Sequence, residues 1–355
     1  MLTTEQKIAA RLWKAGQGRW VQSDCKHDSD HNAICHLFEE IRYEINAIGI
    51  DRNKNVGLTS LMKGYAALSP GQRSLIENVG WLDVREREKL TNPDGYFDVS
   101  IPLSLILGFP EDYRKIVINA KHELILRRAK SDVNAIMQTA PEGCKVVIHK
   151  LEWLIPYVSD RRKIQLLKFI ERDAPISLSF RTWELYEYPL LPTTSKHVWA
   201  VKTSSQLEKP RYVILGFQTS RKNKKNKKAS QIDHSNIRDV KLFLNSQCYP
   251  YGNLNLDIDH NHFALLHEMY ANIQATYYGK DPEHLLKKNE FLECAPLIVI
   301  DCSKQNESFK VGPVDIRLEF EAQDNFPADT SAFCLILHDR IVENNPISGG
   351  VKKLV

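Results

Sequence analysis

The residues with the clearest potential for chemistry are thiols and imidazoles near the start of the chain. Cys25, His27, His31 and Cys35 lie within one short segment. Zinc requires four nitrogen or sulfur ligands that converge tetrahedrally, usually from paired short loops. The gap between His27 and His31 suits such a loop, but a single residue separates Cys25 from His27, and aspartates are interleaved. The segment is therefore interpreted as a polar loop before a strand, with a zinc site as the alternative.

A second segment, residues 259–262, reads Asp-His-Asn-His and contains the letters of a His-Asn-His nuclease. That chemistry needs a metal-bound histidine in a particular fold, whereas the same letters equally describe a turn before a helix. The sequence has no glycine-rich nucleotide loop and no GxSxG motif. It therefore predicts no catalytic residue, no cofactor and no small-molecule substrate.

A run of cations occupies residues 221–228, with six basic side chains at Arg221, Lys222, Lys224, Lys225, Lys227 and Lys228. Phosphate binding needs many cationic contacts, and single strands also stack on aromatic side chains. The run contains neither aromatic nor apolar residues, and strand-like segments flank it at 211–219 and 240–244. It is predicted to be a solvated hairpin loop, and DNA contact is the alternative.

The overall composition is that of an ordinary globular protein. The chain has 355 residues, of which 43% are hydrophobic and 26% charged, and its formal net charge is +4. This length predicts two domains, and so small a charge does not indicate a nucleic-acid binder. The start lacks the apolar core of a signal peptide, and no run approaches the roughly 20 apolar residues of a membrane span. We expect a soluble, intracellular product with mostly reduced cysteines.

The hydrophobic pattern from residue 33 onward is typical of strands. Short apolar segments alternate with polar residues and end at Gly, Pro, Asn or Asp, most clearly at 314–321. Helices are predicted at 4–15, 160–172, 262–278 and 282–293. The sequence therefore predicts an all-β protein with a few connecting helices, arranged as two side-by-side jelly-roll sandwiches.

Long blocks of the chain resemble one protein family. They lie in order at 39–57, 101–126, 180–219, 243–257, 296–308 and 337–349. These blocks closely resemble the double jelly-roll major capsid proteins of Polinton/Maverick elements and adintoviruses. The resemblance runs from about residue 32 to the C-terminus, and on it the chain divides into a divergent N-terminal segment with a short helix, two jelly rolls and a tail, at 1–31, 32–172, 173–345 and 346–355.

The resemblance implies a structural protein of the virion capsid. Three copies would form a pseudo-hexagonal capsomer that tiles an icosahedral shell, without catalysis. The implied partners are the other copies of the homotrimer, neighbouring capsomers, a penton protein, a packaging ATPase and a maturation protease. Packaged double-stranded DNA joins this list if the loop at 221–228 points inward.

Aromatic residues near the ends of two predicted strands are candidates for subunit contact, because Tyr and Trp are enriched at interface centres. They are Trp183, Tyr186, Tyr188, Tyr249 and Tyr251. Burial in the core is the alternative for half of them.

The segment at 1–31 departs from the family pattern, in which a longer lead supplies the opening strands of the first jelly roll. Those strands are either missing here or replaced by the helix at 4–15. Two other functions stay open beside the capsid. One is a domesticated jelly roll that binds nucleic acid through 221–228, and the other is a metalloprotein built on 25–36.

Overall fold

Strands dominate a computed structural model of the chain. It describes residues 13–14, 18–21, 27–29, 32–72, 76–81, 90–92, 94–138, 145–155, 170–171, 175–202, 210–304 and 314–354. The predicted all-β class with a few connecting helices is confirmed, as are the two jelly-roll sandwiches.

The described part of the first sandwich contains ten strands. They are β1 (Trp13–Lys14), β2 (Gly18–Val21), β3 (His27–Ser29), β4 (Phe38–Ile45), β5 (Ile48–Lys54), β6 (Tyr96–Phe97), β7 (His122–Arg128), β8 (Ile136–Gln138), β9 (Lys145–Ile148) and β10 (Glu152–Trp153). The pairings are β5-β4-β7, β6-β2-β9, β3-β8 and β1-β10, all antiparallel.

The prediction of a helix at 4–15 is wrong at the C-terminal end of that range. Trp13 and Lys14 form β1, which pairs with Trp153 and Glu152. A strand partner supplies ladder hydrogen bonds that override a short helical pattern. The rest of that predicted helix lies outside the described residues. Strands β2 and β3 also fall within the first 31 residues, so this segment supplies strands to the first sandwich.

The second sandwich has the strand order of a jelly roll. Its strands are β11 (Ile176–Tyr188), β12 (Lys196–Lys202), β13 (Pro210–Thr219), β14 (Ile237–Leu244), β15 (Gln247–Tyr249), β16 (Ile298–Asp301), β17 (Ile316–Ala322) and β18 (Thr330–Asn344). One sheet runs β11-β18-β13-β16, the other β12-β17-β14-β15. A final strand, β19 (Val351–Lys353), pairs with the end of β18. Strands β11, β16, β12 and β15 lie at the edges of these two sheets.

Strand β17 illustrates how the sequence specifies its face. Ile316, Leu318 and Phe320 are buried, while the charged residues between them point outward. The alternation predicted at 314–321 is therefore confirmed, and it fixes the register because a one-residue slip would bury the charges.

Among the described residues, five α-helices connect these strands. They are α1 (Val56–Ala67), α2 (Phe109–Asp112), α3 (Ala264–Ala271), α4 (Ile273–Tyr278) and α5 (Lys288–Cys294). The helix predicted at 262–278 is present as the pair α3 and α4. The one predicted at 282–293 begins six residues later, as α5. Only residues 170–171 of the helix predicted at 160–172 are described, and Ile170 is helical.

The two sandwiches share packing elements. Helix α1 follows β5 of the first sandwich, yet its Leu61, Met62 and Tyr65 lie in the core of the second. In return, Leu178 and Phe180 at the start of β11 lie in the first core. The long strand β11 therefore contributes to both cores. The division into 32–172 and 173–345 stays a prediction, because packing crosses it.

Candidate functional site

The junction between the sandwiches contains a connected set of buried and half-buried polar side chains. We call this set the seam: Asp51, Lys63, Glu111, Asp112, Arg181 and Thr182. Its parts come from β5, α1, α2 and β11, which meet because Gly108 lets α2 approach β11. A Cβ at Gly108 would lie 1.9 Å from the Arg181 carbonyl oxygen, so only glycine fits this approach.

Arg181 and Asp112 form the strongest contact of the seam. The Arg181 guanidinium donates to both carboxylate oxygens of Asp112, at 2.8 and 2.7 Å, and the Arg181 backbone N–H donates at 2.7 Å. The guanidinium also stacks 3.8 Å from the Tyr277 ring and donates to the Tyr277 carbonyl oxygen. Such bidentate geometry fixes orientation as well as charge. It ties β11 to α2 and to α4.

Lys63 is a buried cation whose donors are all occupied. Its side chain is 3% exposed, and its Nζ lies 2.8 Å from Glu111 Oε2 and 2.8 Å from the Ser104 carbonyl oxygen. Nζ also lies 3.7 Å from the centroid of the Trp183 ring. Burial lowers the pKa of Lys63, and the attraction of Glu111 opposes that shift. Lys63 is therefore a structural cation with no access to a substrate.

Asp51 completes the seam from β5. One carboxylate oxygen accepts from the Thr182 hydroxyl at 2.5 Å, and the other accepts from the Phe109 backbone N–H at 2.8 Å. A buried carboxylate is stable only with such partners. Together the seam residues pair with one another, so the arrangement can fix two sandwiches but offers no reactive group.

The zinc alternative stays a prediction, because two of its four candidate ligands lie outside the described residues. Cys25 and His31 lie outside the described residues, and only the backbone of His27 is described, in β3. Cys35 is buried, and burial raises the pKa of its thiol to about 12, whereas a zinc ligand is a thiolate. No group of three metal-ligating side chains occurs among the described residues.

Residues 259–262 form the turn that precedes α3. Asp257 and His262 pair as an isolated bridge, and His260 Nδ1 lies 2.9 Å from the Asp257 carboxylate. This hydrogen bond raises the pKa of His260 and lowers that of Asp257. Both side chains therefore stabilise the turn before α3, which is the interpretation that the sequence offers beside nuclease chemistry.

The five interface candidates differ in burial. Trp183 is 1% exposed and lies in the second core, so the core interpretation applies to it. Tyr186, Tyr188 and Tyr249 are partly buried and pack against that core. Tyr251 is 99% exposed just beyond β15. Tyr251 is therefore the candidate best placed to meet another molecule.

The cationic run forms an exposed loop between β13 and β14, as predicted, but the predicted hairpin is wrong, because these two strands pair in different sheets. Its first two cations are already paired. Arg221 binds both oxygens of the Asp233 carboxylate, and Lys222 lies 2.5 Å from a carboxylate oxygen of Glu187. The exposed lysines of the loop tip follow, at Lys224, Lys225 and Lys227, with Lys228 half-buried. Arg221 and Lys222 thus anchor the loop to the sandwich.

The seam is the part of this arrangement that sequence reasoning missed. Its residues are far apart in the chain and carry no shared motif. The one signal was local: Gly108 precedes Phe109-Pro110-Glu111-Asp112, a pattern typical of a helix start with acidic residues in its first turn.

Solved structures with the same fold include several viral proteins. PBCV-1 VP54, fitted into a reconstruction of the virophage Sputnik, aligns over 98% of this chain and 91% of its own, at 10% identity and a TM-score of 0.57. The Sputnik virophage structure aligns over 100% and 84%, at 8% identity and a TM-score of 0.57. The mavirus major capsid protein aligns over 96% and 82%, at 11% identity and a TM-score of 0.52.

Comparison at the level of sequence gives the family. No curated protein matches the chain at a significant level. None of the helices among the described residues is long and apolar enough to cross a membrane. The sequence model of one protein family, described as the double jelly roll-like domain, matches residues 28–342, which is most of the chain. This protein therefore belongs to the double jelly roll-like domain family.

Proposed function

We propose that the chain is a structural capsid protein, without catalysis, whose trimers form pseudo-hexagonal capsomers in an icosahedral shell. The observation that carries this proposal is the rigid pairing of two sandwiches through the seam and through β11. Each chain has two sandwiches, so a trimer has six. Six such units arranged around one axis give the particle a hexagonal outline. The likeness of fold to the mavirus major capsid protein supports the same function.

The exposed apolar residues of the second sandwich support self-association. Val198 on β12 is 65% exposed, Leu190 in the β11–β12 connection is 59% exposed, and Tyr251 is almost fully exposed. Strand β12 also lies at the edge of its sheet. An exposed edge beside apolar side chains is unfavourable in isolation and stable when another surface covers it. Neighbouring copies in a trimer would provide that cover.

The finer identity of the particle is also proposed. The long blocks resembling Polinton/Maverick elements and adintoviruses favour that lineage, in which neighbouring capsomers and a penton protein are partners. The protein would then be made inside the cell and reside in the virion capsid. Packaged double-stranded DNA is a partner only if the 221–228 loop faces inward.

Light-scattering mass of the purified protein tests the trimer, followed by negative-stain microscopy of the same fraction. The expected mass is three times 40.8 kDa, with pseudo-hexagonal particles. The substitutions Tyr251→Ser and Val198→Asp should shift the measured mass towards that of a folded monomer. Both side chains are exposed in the single chain, so replacing them should weaken contacts between subunits without unfolding the chain. An unaltered protein that is monomeric at micromolar concentration would contradict the proposal.

Nucleic-acid binding through the loop at 221–228 is the second candidate. The exposed lysines at the loop tip favour it, whereas the pairing of Arg221 and Lys222 leaves fewer cations for phosphate. Affinity for double-stranded DNA should then fall steeply with salt, with a slope set by the number of phosphates contacted. Replacing Lys224, Lys225, Lys227 and Lys228 with Ser should remove that dependence. Unchanged DNA affinity would exclude this role for the loop.

A further inference from the structure

A groove lies between the two sandwiches beside the cationic loop. It encloses a cavity of about 600 Å³, which falls within the range of ligand pockets. Apolar residues of its floor come from both sandwiches, with Phe38 and Val133 from the first, Phe333 from the second, and Leu58 from α1, which packs into the second core. Such a floor can accept one or two large apolar side chains.

The rim of the groove is cationic. Asn223 and Ala229 both line the groove, and the five residues between them form the exposed tip of the loop that joins these two positions. Four of those five residues are lysines. Lys130 adds a further exposed cation from the first sandwich.

The acids near the groove do not neutralise that rim. Glu39, which lines it, is paired with Arg127 at 3.0 Å. Glu187 is paired with Lys222, and Asp233 with Arg221. Each of these carboxylates therefore already has a cation of its own. These three acids are therefore not the counter-ions of Lys130 and Lys224.

Hydrogen bonds hold the rim in place. The Asn223 backbone N–H donates to Asn134 Oδ1 at 2.7 Å, and the Asn134 amide donates back to Asn223 Oδ1 at 3.1 Å. The Gln218 amide donates to the carbonyl oxygens of Ala229 and Gln231, at 2.6 and 3.0 Å. The loop is thus fixed to both sandwiches, and a ligand would meet a groove that is largely preformed.

We infer that this groove is the docking site for an acidic protein segment that carries a large apolar side chain. The lysines would meet Asp or Glu residues of the partner, and the apolar side chain would fill the cavity. DNA satisfies only the first of these demands, because the apolar floor offers nothing to a phosphate backbone. The inference is independent of the capsid proposal, since the groove lies within one chain.

Selection from a phage library of short random peptides on the purified protein tests this inference. Two variants identify the groove: Val133→Asp, which puts a charge on its floor, and a triple variant with Lys130, Lys224 and Lys227 changed to Ser. A matched triple variant changes Lys115, Lys304 and Lys352 to Ser, which are exposed lysines that do not line the groove. Circular dichroism and thermal unfolding establish that each variant is folded.

We expect enriched peptides to combine Asp or Glu with a large apolar residue. Their affinity should fall at least about tenfold, roughly 1.4 kcal/mol, in each groove variant and stay unchanged in the matched triple variant. Replacing the apolar residue of a selected peptide with Ser should cost as much. No enrichment, peptides without acidic residues, or equal binding to the Val133→Asp variant would each overturn the inference. Competition by double-stranded DNA as strong as by the unsubstituted peptide would identify the loop as a general polyanion site and overturn the inference too.

Discussion

Arg181 on β11 binds Asp112 on α2 through three hydrogen bonds, one from its backbone and two from its guanidinium. The two residues belong to different sandwiches, and the guanidinium also covers the Tyr277 ring of α4. A single ion pair thus joins three elements. Because both charges are largely shielded from water, each depends on the other for its stability.

Removing Asp112 should therefore loosen the union of the sandwiches. Asp112→Ala leaves the Arg181 guanidinium without its carboxylate, and we expect a loss of about 2–3 kcal/mol in the free energy of unfolding, the range for a charged hydrogen-bonded group. Unfolding in guanidinium chloride measures this loss of stability. The control is Lys121→Ala, which breaks the exposed pair with Glu123 and should cost less than about 0.5 kcal/mol. Equal losses in the two variants would contradict this account.

Trp183 provides a test of the core assignment. It is fully buried among the apolar residues of the second core and also covers the Lys63 ammonium. Trp183→Ala should lower the free energy of unfolding by about 3–5 kcal/mol through the cavity it leaves. Tyr251→Ser is the comparison. Because the Tyr251 side chain is exposed, this substitution should hardly change the thermal unfolding of single chains. A small effect of Trp183→Ala would contradict the assignment of this tryptophan to the second core.

How much the sequence predicts depends on whether a signal is local. Strand β17 was predictable because alternation along Ile316–Phe320 is written in consecutive residues. Helix α1 was not, because nearly all of its residues are buried, and a helix buried on every side has no polar face to reveal its period. The seam was also out of reach, since Asp51, Asp112 and Arg181 come together only through tertiary packing.

The histidines of the β15–β16 connection predict a dependence on pH. His267 lies 4.9 Å from the His284 ring, and Nε2 of His267 and Nδ1 of His284 are buried without a hydrogen-bond partner among the described residues. Burial lowers the pKa of His267 below 6.5, and His284 and Lys288 add repulsion. The unfolded chain then takes up this proton more readily than the folded one, so the free energy of unfolding falls as the pH drops below about 6.5.

Urea denaturation at about pH 7.5 and about pH 5 measures this effect. His267→Phe should reduce the loss of stability on acidification. His260 has the opposite sign, since its hydrogen bond with Asp257 raises its pKa and stabilises the fold at low pH. That contribution is lost as the pH rises through the folded pKa. His260→Asn should therefore enlarge the acid-induced loss, and identical pH profiles for all three proteins would exclude a role for either histidine.

Substitution of Gly108 tests whether the close approach of α2 to β11 is needed for assembly of the proposed trimer. A methyl group there would overlap the Arg181 carbonyl oxygen, which is backbone and cannot move aside as a side chain would. Gly108→Ala should cost at least about 1–3 kcal/mol, the range for overpacking, and should displace α2 so that the Arg181–Asp112 contact weakens. Gly49→Ala is the matched control, because nothing lies within 4 Å of a Cβ at that position, and it should be neutral or slightly stabilising. Light-scattering mass of both variants then separates two cases. If the seam sets the relative orientation of the sandwiches, Gly108→Ala should lose the proposed trimer at temperatures where the chain is still folded. A trimer that persists until unfolding would show that each sandwich assembles independently of its neighbour.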